Sequence, residues 1–316
     1  MKDQFGRTID YLRIAVTDKC NLRCLYCKPE EGDEPEEDIL SAVELEKLVR
    51  EFVHAGIQKI RLTGGEPLVR SDIVEVVQRI GSVEGLKDFA MTTNGMYLKN
   101  IAPDLKKSGL KRVNISIDSL DEKKYEKITG GGNLKEVSAG IASAIEAGLL
   151  PVKLNVVLMK GVNDHEAGDF IELTRKNPIE LRFIELMPAG QVVNWAREKF
   201  ISVQAVLQAF PELIPDVNGE SNSTAFFYRL SGAKGRIGFI SAVSGKFCPD
   251  CSRLRLTADG KLKPCLHSNV EIDIKKPLRE GGDLKTVIFE AVKKKPLSHQ
   301  LDSNIFVGRN MVNIGG

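Results

Sequence analysis

No apolar run in this 316-residue chain approaches the ~18 to 20 residues of a membrane span, and Met1 to Asp10 has no signal-peptide apolar core. The expectation is a cytoplasmic protein with no membrane partner. Charge of one sign is missing too: 45 Lys and Arg stand against 43 Asp and Glu. That balance excludes the strong counterion-release binding of a general nucleic-acid coat and leaves only a local basic pocket open. Solenoid-period repeats and low-complexity tracts are absent. What is there, 42% hydrophobic and 28% charged residues, suits an ordinary globular core, and the length accommodates two average domains or one large barrel.

Cysteine is missing from the whole middle of the chain. The six residues fall as two triplets, Cys20, Cys24, Cys27 and Cys248, Cys251, Cys265. A reducing compartment argues against disulfides, and two separate metal sites are the natural reading.

Between the triplets, strand-like and helix-like segments alternate. Strands are expected at Tyr11–Thr17, Lys59–Thr63, Phe89–Thr93, Arg112–Ile117, Val152–Leu158 and Glu180–Leu186. Helices are expected from Ser41, where Glu44 completes a capping box, and from Ser71, Tyr97, Asn133 and Asp164. Six such units imply a parallel sheet, either open and doubly wound or curled into part of a barrel, with the active site at the strands' C-terminal ends. Past Gly190 the rhythm stops. Short strands at Ala225–Arg229 and Ile237–Ser241 suggest a smaller module; Glu30 to Asp38 reads as an acidic loop and Lys293 to Lys295 as solvated charge.

Cys20-x3-Cys24-x2-Cys27 follows the first strand directly. Three thiolates in one loop can hold three corners of a cubane iron-sulfur cluster and leave the fourth iron open to a small molecule. A structural zinc needs a fourth ligand, and the nearest histidine, His54, sits on the first helix. The second triplet leaves two options: His267 could complete a Cys3His zinc site, or the triplet holds a cluster. Arg253 and Arg255 beside it alternate on an extended segment, where both guanidinium groups face one side and can grip phosphates.

The first spacing, with Tyr26 before the last cysteine, resembles the signature of the radical S-adenosylmethionine (SAM) superfamily, and Gly64-Gly65-Glu66-Pro67 after the second strand resembles its SAM motif. Essentially the whole chain resembles one family, molybdenum cofactor biosynthesis protein A, the GTP 3',8-cyclases. The likeness runs from Asp10-Tyr-Leu-Arg-Ile-Ala-Val-Thr-Asp18 through Thr92-Thr-Asn-Gly95, Lys160-Gly-Val-Asn163 and Arg182-Phe-Ile-Glu185 to Gly315-Gly316.

This resemblance implies a partial (βα)6 TIM-type barrel over residues 1–190, closed at its mouth by a smaller α+β module over residues 191–316. It implies 4Fe-4S clusters on both triplets, the second binding guanine by its open iron. It places SAM against Tyr26, Gly65, Glu66, Ser116, Asp118 and Met187. Arg13, Arg61, Thr92, Lys153, Arg182, Arg253 and Arg255 would surround GTP, the cations standing unpaired at strand ends, and Gly315 and Gly316 would reach into the cavity. One electron from the first cluster would cleave SAM, the deoxyadenosyl radical would take the ribose C3' hydrogen, and C3' would attack guanine C8. The implied partners are GTP, an unidentified electron donor and a downstream cyclic pyranopterin monophosphate synthase, with a homodimer left open. A radical SAM peptide-modifying maturase is the rival enzyme, though only about ten residues precede the first strand. The rival from another class is a non-catalytic iron-sulfur electron carrier.

Overall fold

The computed structural model describes residues 1–27, 38–216, 224–245 and 247–315. The expected acidic loop, apart from Asp38, and Gly316 lie outside the described residues.

The six expected strands form at β1 (Tyr11–Ala15), β2 (Lys59–Thr63), β3 (Asp88–Thr93), β4 (Arg112–Ser116), β5 (Lys153–Leu158) and β6 (Glu180–Glu185). Between them run α1 (Ala42–His54), α2 (Ile73–Gly81), α3 (Leu98–Lys107), α4 (Glu122–Thr129), α5 (Leu134–Glu146) and α6 (Ala167–Lys176). The α1 capping box is present: the Glu44 N–H donates to Ser41 Oγ at 3.2 Å and the Ser41 N–H to Glu44 Oε2 at 2.8 Å. Two orphan donors of the first turn are thereby satisfied. Helix α4 is not visible in the sequence pattern. Only Tyr125, Ile128 and Thr129 are buried in it, a stripe too short to show a period, while the Asp121 cap and left-handed Gly130 bound it.

The remaining elements are α7 (Val193–Glu198), α8 (Val203–Ala209), β7 (Ile214–Pro215), β8 (Phe226–Arg229), β9 (Arg236–Ile240), β10 (Arg253–Leu256), β11 (Lys261–Lys263), β12 (Ile272–Asp273), α9 (Lys275–Glu280), α10 (Leu284–Lys293) and α11 (Met311–Ile314). The sheet order is β12-β11-β10-β1-β2-β3-β4-β5-β6-β9-β8-β7. Strands β1 to β6 are all parallel, β10 adds in parallel to β1, and β9 adds in parallel to β6. The barrel is therefore partial, and the C-terminal strands extend the same sheet at both edges. Unpaired β1 and β6 would expose a row of backbone donors and acceptors, which this pairing covers.

Period-two alternation divides each strand between two environments. Leu12 and Ile14, Ile60 and Leu62, Phe89 and Met91, Val113 and Ile115, Leu154 and Val156, Leu181 and Phe183 turn outward into the apolar core. The intervening residues turn into the lumen. Arg255, Arg13 and Arg61 are register partners across β10, β1 and β2, and Thr92, Asn114, Lys153 and Glu180 across β3 to β6.

Candidate active site

Cys20, Cys24 and Cys27 lie in the loop leaving β1, and the Gly64-Gly65 turn leaving β2 packs directly on it. A Cβ on Gly64, whose φ is +149°, would meet the Thr17 carbonyl oxygen at 2.2 Å, and one on Gly65 would meet that of Lys19 at 2.3 Å. Only glycine permits this approach, which lets the Gly65 and Glu66 N–H groups donate to the Thr17 and Lys19 carbonyls at 2.8 and 2.9 Å. The three sulfurs converge closely enough to disfavour one another's charge: burial, then Cys27, Asp118 and Cys20, push the Cys24 thiol well up. Bound iron would offset that cost, so the donor set fits a cationic cluster.

The Glu66 carboxylate is braced by its neighbours, accepting from the Leu68 N–H at 3.0 Å, Thr93 Oγ1 at 2.7 Å and the Asn94 N–H at 2.6 Å. Burial still pushes it up to about 7. Tyr26 donates its hydroxyl to Asp118 Oδ2 at 2.7 Å, and Asp118 Oδ1 accepts from the Val157 N–H at 2.8 Å. Asp118 thus positions the ring of Tyr26. Ser116 ends β4, and Met187, just past β6, packs with Cys27 against a small cluster containing Met311 and Ile314. His54 is exposed on α1 and outside this site.

The expectation of basic residues at strand ends is corrected for Arg13, Arg61 and Arg182, and that of cations without protein partners is corrected for Lys153 and Arg182. Arg13, Arg61 and Arg182 are the third residues of their strands and Lys153 is the first of β5, so they line the lumen below the cysteine loop. Lys153 and Arg182 share the buried carboxylate of Glu180, at 3.0 and 2.5 Å, and Arg236 joins them. Sequence reasoning missed Glu180 because its lumen-facing position depends on the sheet register. Burial raises its pKa, but Arg182, Lys153 and Arg236 outweigh this and hold the carboxyl at about 2. A depressed pKa stabilises the fold above the unfolded-state value and loses that contribution as pH falls. For Glu180 the contribution is on the order of 3 kcal/mol, complete above its ordinary value of 4.5 and lost toward pH 2. Glu180→Gln should therefore lower the unfolding free energy by about 3 kcal/mol at pH 7. The gap should narrow in urea titrations at pH 3; equal stability of both proteins at pH 7 would refute the assignment.

The guanidinium of Arg61 lies 5.6 Å from the centre of the Tyr11 ring, and that of Arg253 lies 4.5 Å from the centre of Phe247. Burial, then Arg253, lower Arg255 to about 10. Among the described residues, Arg61 Nε, Thr92 Oγ1 and Asn155 Oδ1 are buried without hydrogen-bond partners. Such atoms are costly unless a polar ligand reaches them.

Cys248, Cys251 and Cys265 flank β10 and β11. Burial raises the Cys251 thiol, yet Arg253 and Lys295 outweigh it and bring it to about 6, so it is largely thiolate at neutral pH. His267 is buried 5.3 Å, centre to centre, from the ring of His299; burial, then His299 and Arg255, push its pKa down to about 3. Lys295 departs from the solvated charge expected of it: it is 2% exposed, because the chain turns inward after α10. The tail also runs inward. Gly315, at φ +77°, is buried, and its carbonyl accepts from Arg255 Nη1 at 2.6 Å.

One cavity of about 380 Å³ is lined by all six cysteines together with Tyr26, Gly65, Glu66, Ser116, Met187, Arg13, Arg61, Thr92, Lys153, Arg182, Arg253 and Arg255. Gly315 contacts this wall through Arg255. Among the described residues no three His, Cys, Asp or Glu side chains close tightly enough around one bare metal ion. A cubane is larger than one ion and sets its cysteines further apart.

A parallel partial barrel carrying three cysteines and a Gly-Gly-Glu-Pro turn at its mouth defines a radical SAM enzyme. The Radical SAM superfamily model matches residues 14–174, and the Molybdenum Cofactor Synthesis C model matches residues 179–301. The chain belongs to the GTP 3',8-cyclase family. It is 50% identical to the GTP 3',8-cyclase of Alkaliphilus oremlandii over the full length of both chains. It is 49% identical to that of Peptoclostridium acidaminophilum, over 99% of this chain and 98% of the other. Among solved structures, native anSMEcpe with bound AdoMet aligns with a TM-score of 0.57 at 14% identity, covering 94% of this chain and 82% of the other. Streptococcus suis SuiB bound to S-adenosylmethionine aligns at 0.58 and 16%, covering 90% and 68%. At these identities the likeness concerns the fold alone.

Proposed function

We propose that this chain cyclises GTP to 3',8-cyclo-7,8-dihydro-GTP, the first step of molybdenum cofactor biosynthesis. The observation that carries the proposal is the single cavity, in which two cysteine triplets and a basic lumen face one another. Cys20, Cys24 and Cys27 would hold the 4Fe-4S cluster, which when bound supplies reductive cleavage of SAM. Gly65 and the Glu66 segment bound the SAM subsite beside it, with Tyr26, Ser116 and Met187 on its other walls. Arg13, Arg61, Lys153, Arg182, Arg253 and Arg255, with Thr92, would orient the triphosphate and ribose through charge-assisted hydrogen bonds. Cys248, Cys251 and Cys265 would hold a second 4Fe-4S cluster, and the thiolate character of Cys251 supports that role.

Residues 1–190 would form the barrel and residues 191–316 the closing module. A cytoplasmic location, an electron donor, a downstream cyclic pyranopterin monophosphate synthase and a homodimer complete the reading. Among the described residues no helix is long and apolar enough to cross a membrane.

The reading is tested by anaerobic incubation of reconstituted protein with reductant, SAM and each nucleoside triphosphate, followed by mass spectrometry. GTP alone should yield a cyclised isomer, together with 5'-deoxyadenosine. Equal turnover of ATP, or intact SAM in every reaction, would rule the reading out.

A further inference from the structure

A buried lysine is costly unless each of its three donors is satisfied. Lys295 donates to the Arg253 carbonyl at 2.7 Å and the Pro264 carbonyl at 2.8 Å, and its ammonium also hydrogen-bonds the Cys251 sulfur. One side chain therefore joins the Cys251 segment to the segment that ends in Cys265.

The strap carrying Lys295 is pinned from the other end of the chain. Arg7, itself buried and held by Asp3 at 2.6 Å, donates to the Pro296 carbonyl at 2.7 Å and the Leu297 carbonyl at 2.9 Å. The same guanidinium donates to the Cys248 carbonyl at 2.8 Å. Further along the strap, the His299 backbone N–H hydrogen-bonds the Cys248 sulfur. Each cysteine segment of the second triplet is thus tied to the strap, and the two tying side chains are cations.

We propose that Lys295 is a positioning residue for the second cysteine triplet, with Arg7 holding its strap in place. The ammonium sets the separation of Cys251 and Cys265 and supplies positive charge to thiolates that bind a cluster. The proposal rests on the second triplet holding a 4Fe-4S cluster. Outer-shell partners of this kind typically change metal affinity by about 10- to 100-fold.

The full-length chain is reconstituted anaerobically, with wild type measured alongside. Wild type should hold about eight irons and Lys295→Met about four, as loss of one of two cubanes requires. SAM cleavage in the absence of GTP should persist in Lys295→Met, while cyclised product falls by at least about tenfold. Lys295→Arg, which keeps the charge, should retain the iron but shift the electron paramagnetic resonance of the reduced second cluster. Arg7→Met should lose part of the second-site iron. Unchanged iron and an unchanged spectrum in Lys295→Met would overturn the proposal. Loss of iron from both sites together with SAM cleavage would also overturn it, because the side chain would then be supporting the fold generally. Four irons and one zinc in wild type would defeat the cluster reading instead, and zinc retention by Lys295→Met would then decide the positioning role.

Discussion

Cys24→Ala should abolish SAM cleavage and halve the iron bound on anaerobic reconstitution. Cys24 is the central member of the first triplet, with Cys20, Cys27 and Asp118 around its sulfur. Without it two protein corners remain, too few to hold a cubane with one open iron. The second triplet is separate in sequence, and on the proposed reading it would keep its own cluster, so about four irons should remain of about eight. Cys265→Ala serves as the converse control: the same iron loss with SAM cleavage retained and cyclisation lost. Iron assay and chromatography of 5'-deoxyadenosine check both. SAM cleavage surviving in Cys24→Ala would remove the first triplet from the chemistry.

Deleting Gly315 and Gly316 should lower cyclised product by about a hundredfold, the scale on which a displacement near 1 Å acts in a positioned site. The Gly315 carbonyl accepts from Arg255 Nη1 at 2.6 Å and from Thr63 Oγ1 at 3.4 Å, and a Cβ there would meet Thr63 Oγ1 at 2.6 Å. The tail therefore holds Arg255 in the cavity wall. Its anchor is upstream: Met311, Val312 and Ile314 are buried, and Arg309 Nη2 bridges Asp259 and Glu271 at 2.8 and 2.7 Å. Since the deletion spares that anchor, the thermal midpoint should move little and both clusters should form. Single-turnover kinetics separate the outcomes. A truncated protein cyclising GTP at the wild-type rate would make the two glycines dispensable.

Much of the architecture is legible in the sequence because period-two alternation and capping are local. The six strands, the Ser41–Glu44 box and both cysteine triplets all fall within short windows. Helix α4 escapes because its buried stripe spans little more than one turn. The basic residues read as strand-end groups because neighbouring loops carry the cysteines, whereas in the sheet Arg13, Arg61 and Arg182 sit two residues into their strands.

The chain alone determined the cysteine spacing, the Gly64-Gly65 turn and the alternating cations, since these are properties of adjacent residues. Their relations were decided by tertiary structure. Pairing of β10 with β1 and β9 with β6 brings the second triplet and Arg236 to the barrel from distant stretches of the chain. The register of β5 on β6 gives Lys153 and Arg182 a shared carboxylate in Glu180, and the path of the C-terminal segment turns Lys295 inward and sets Gly315 on Arg255. Side-chain polarity specifies what a residue can bind, but burial and register specify what it meets, and those depend on the whole sheet.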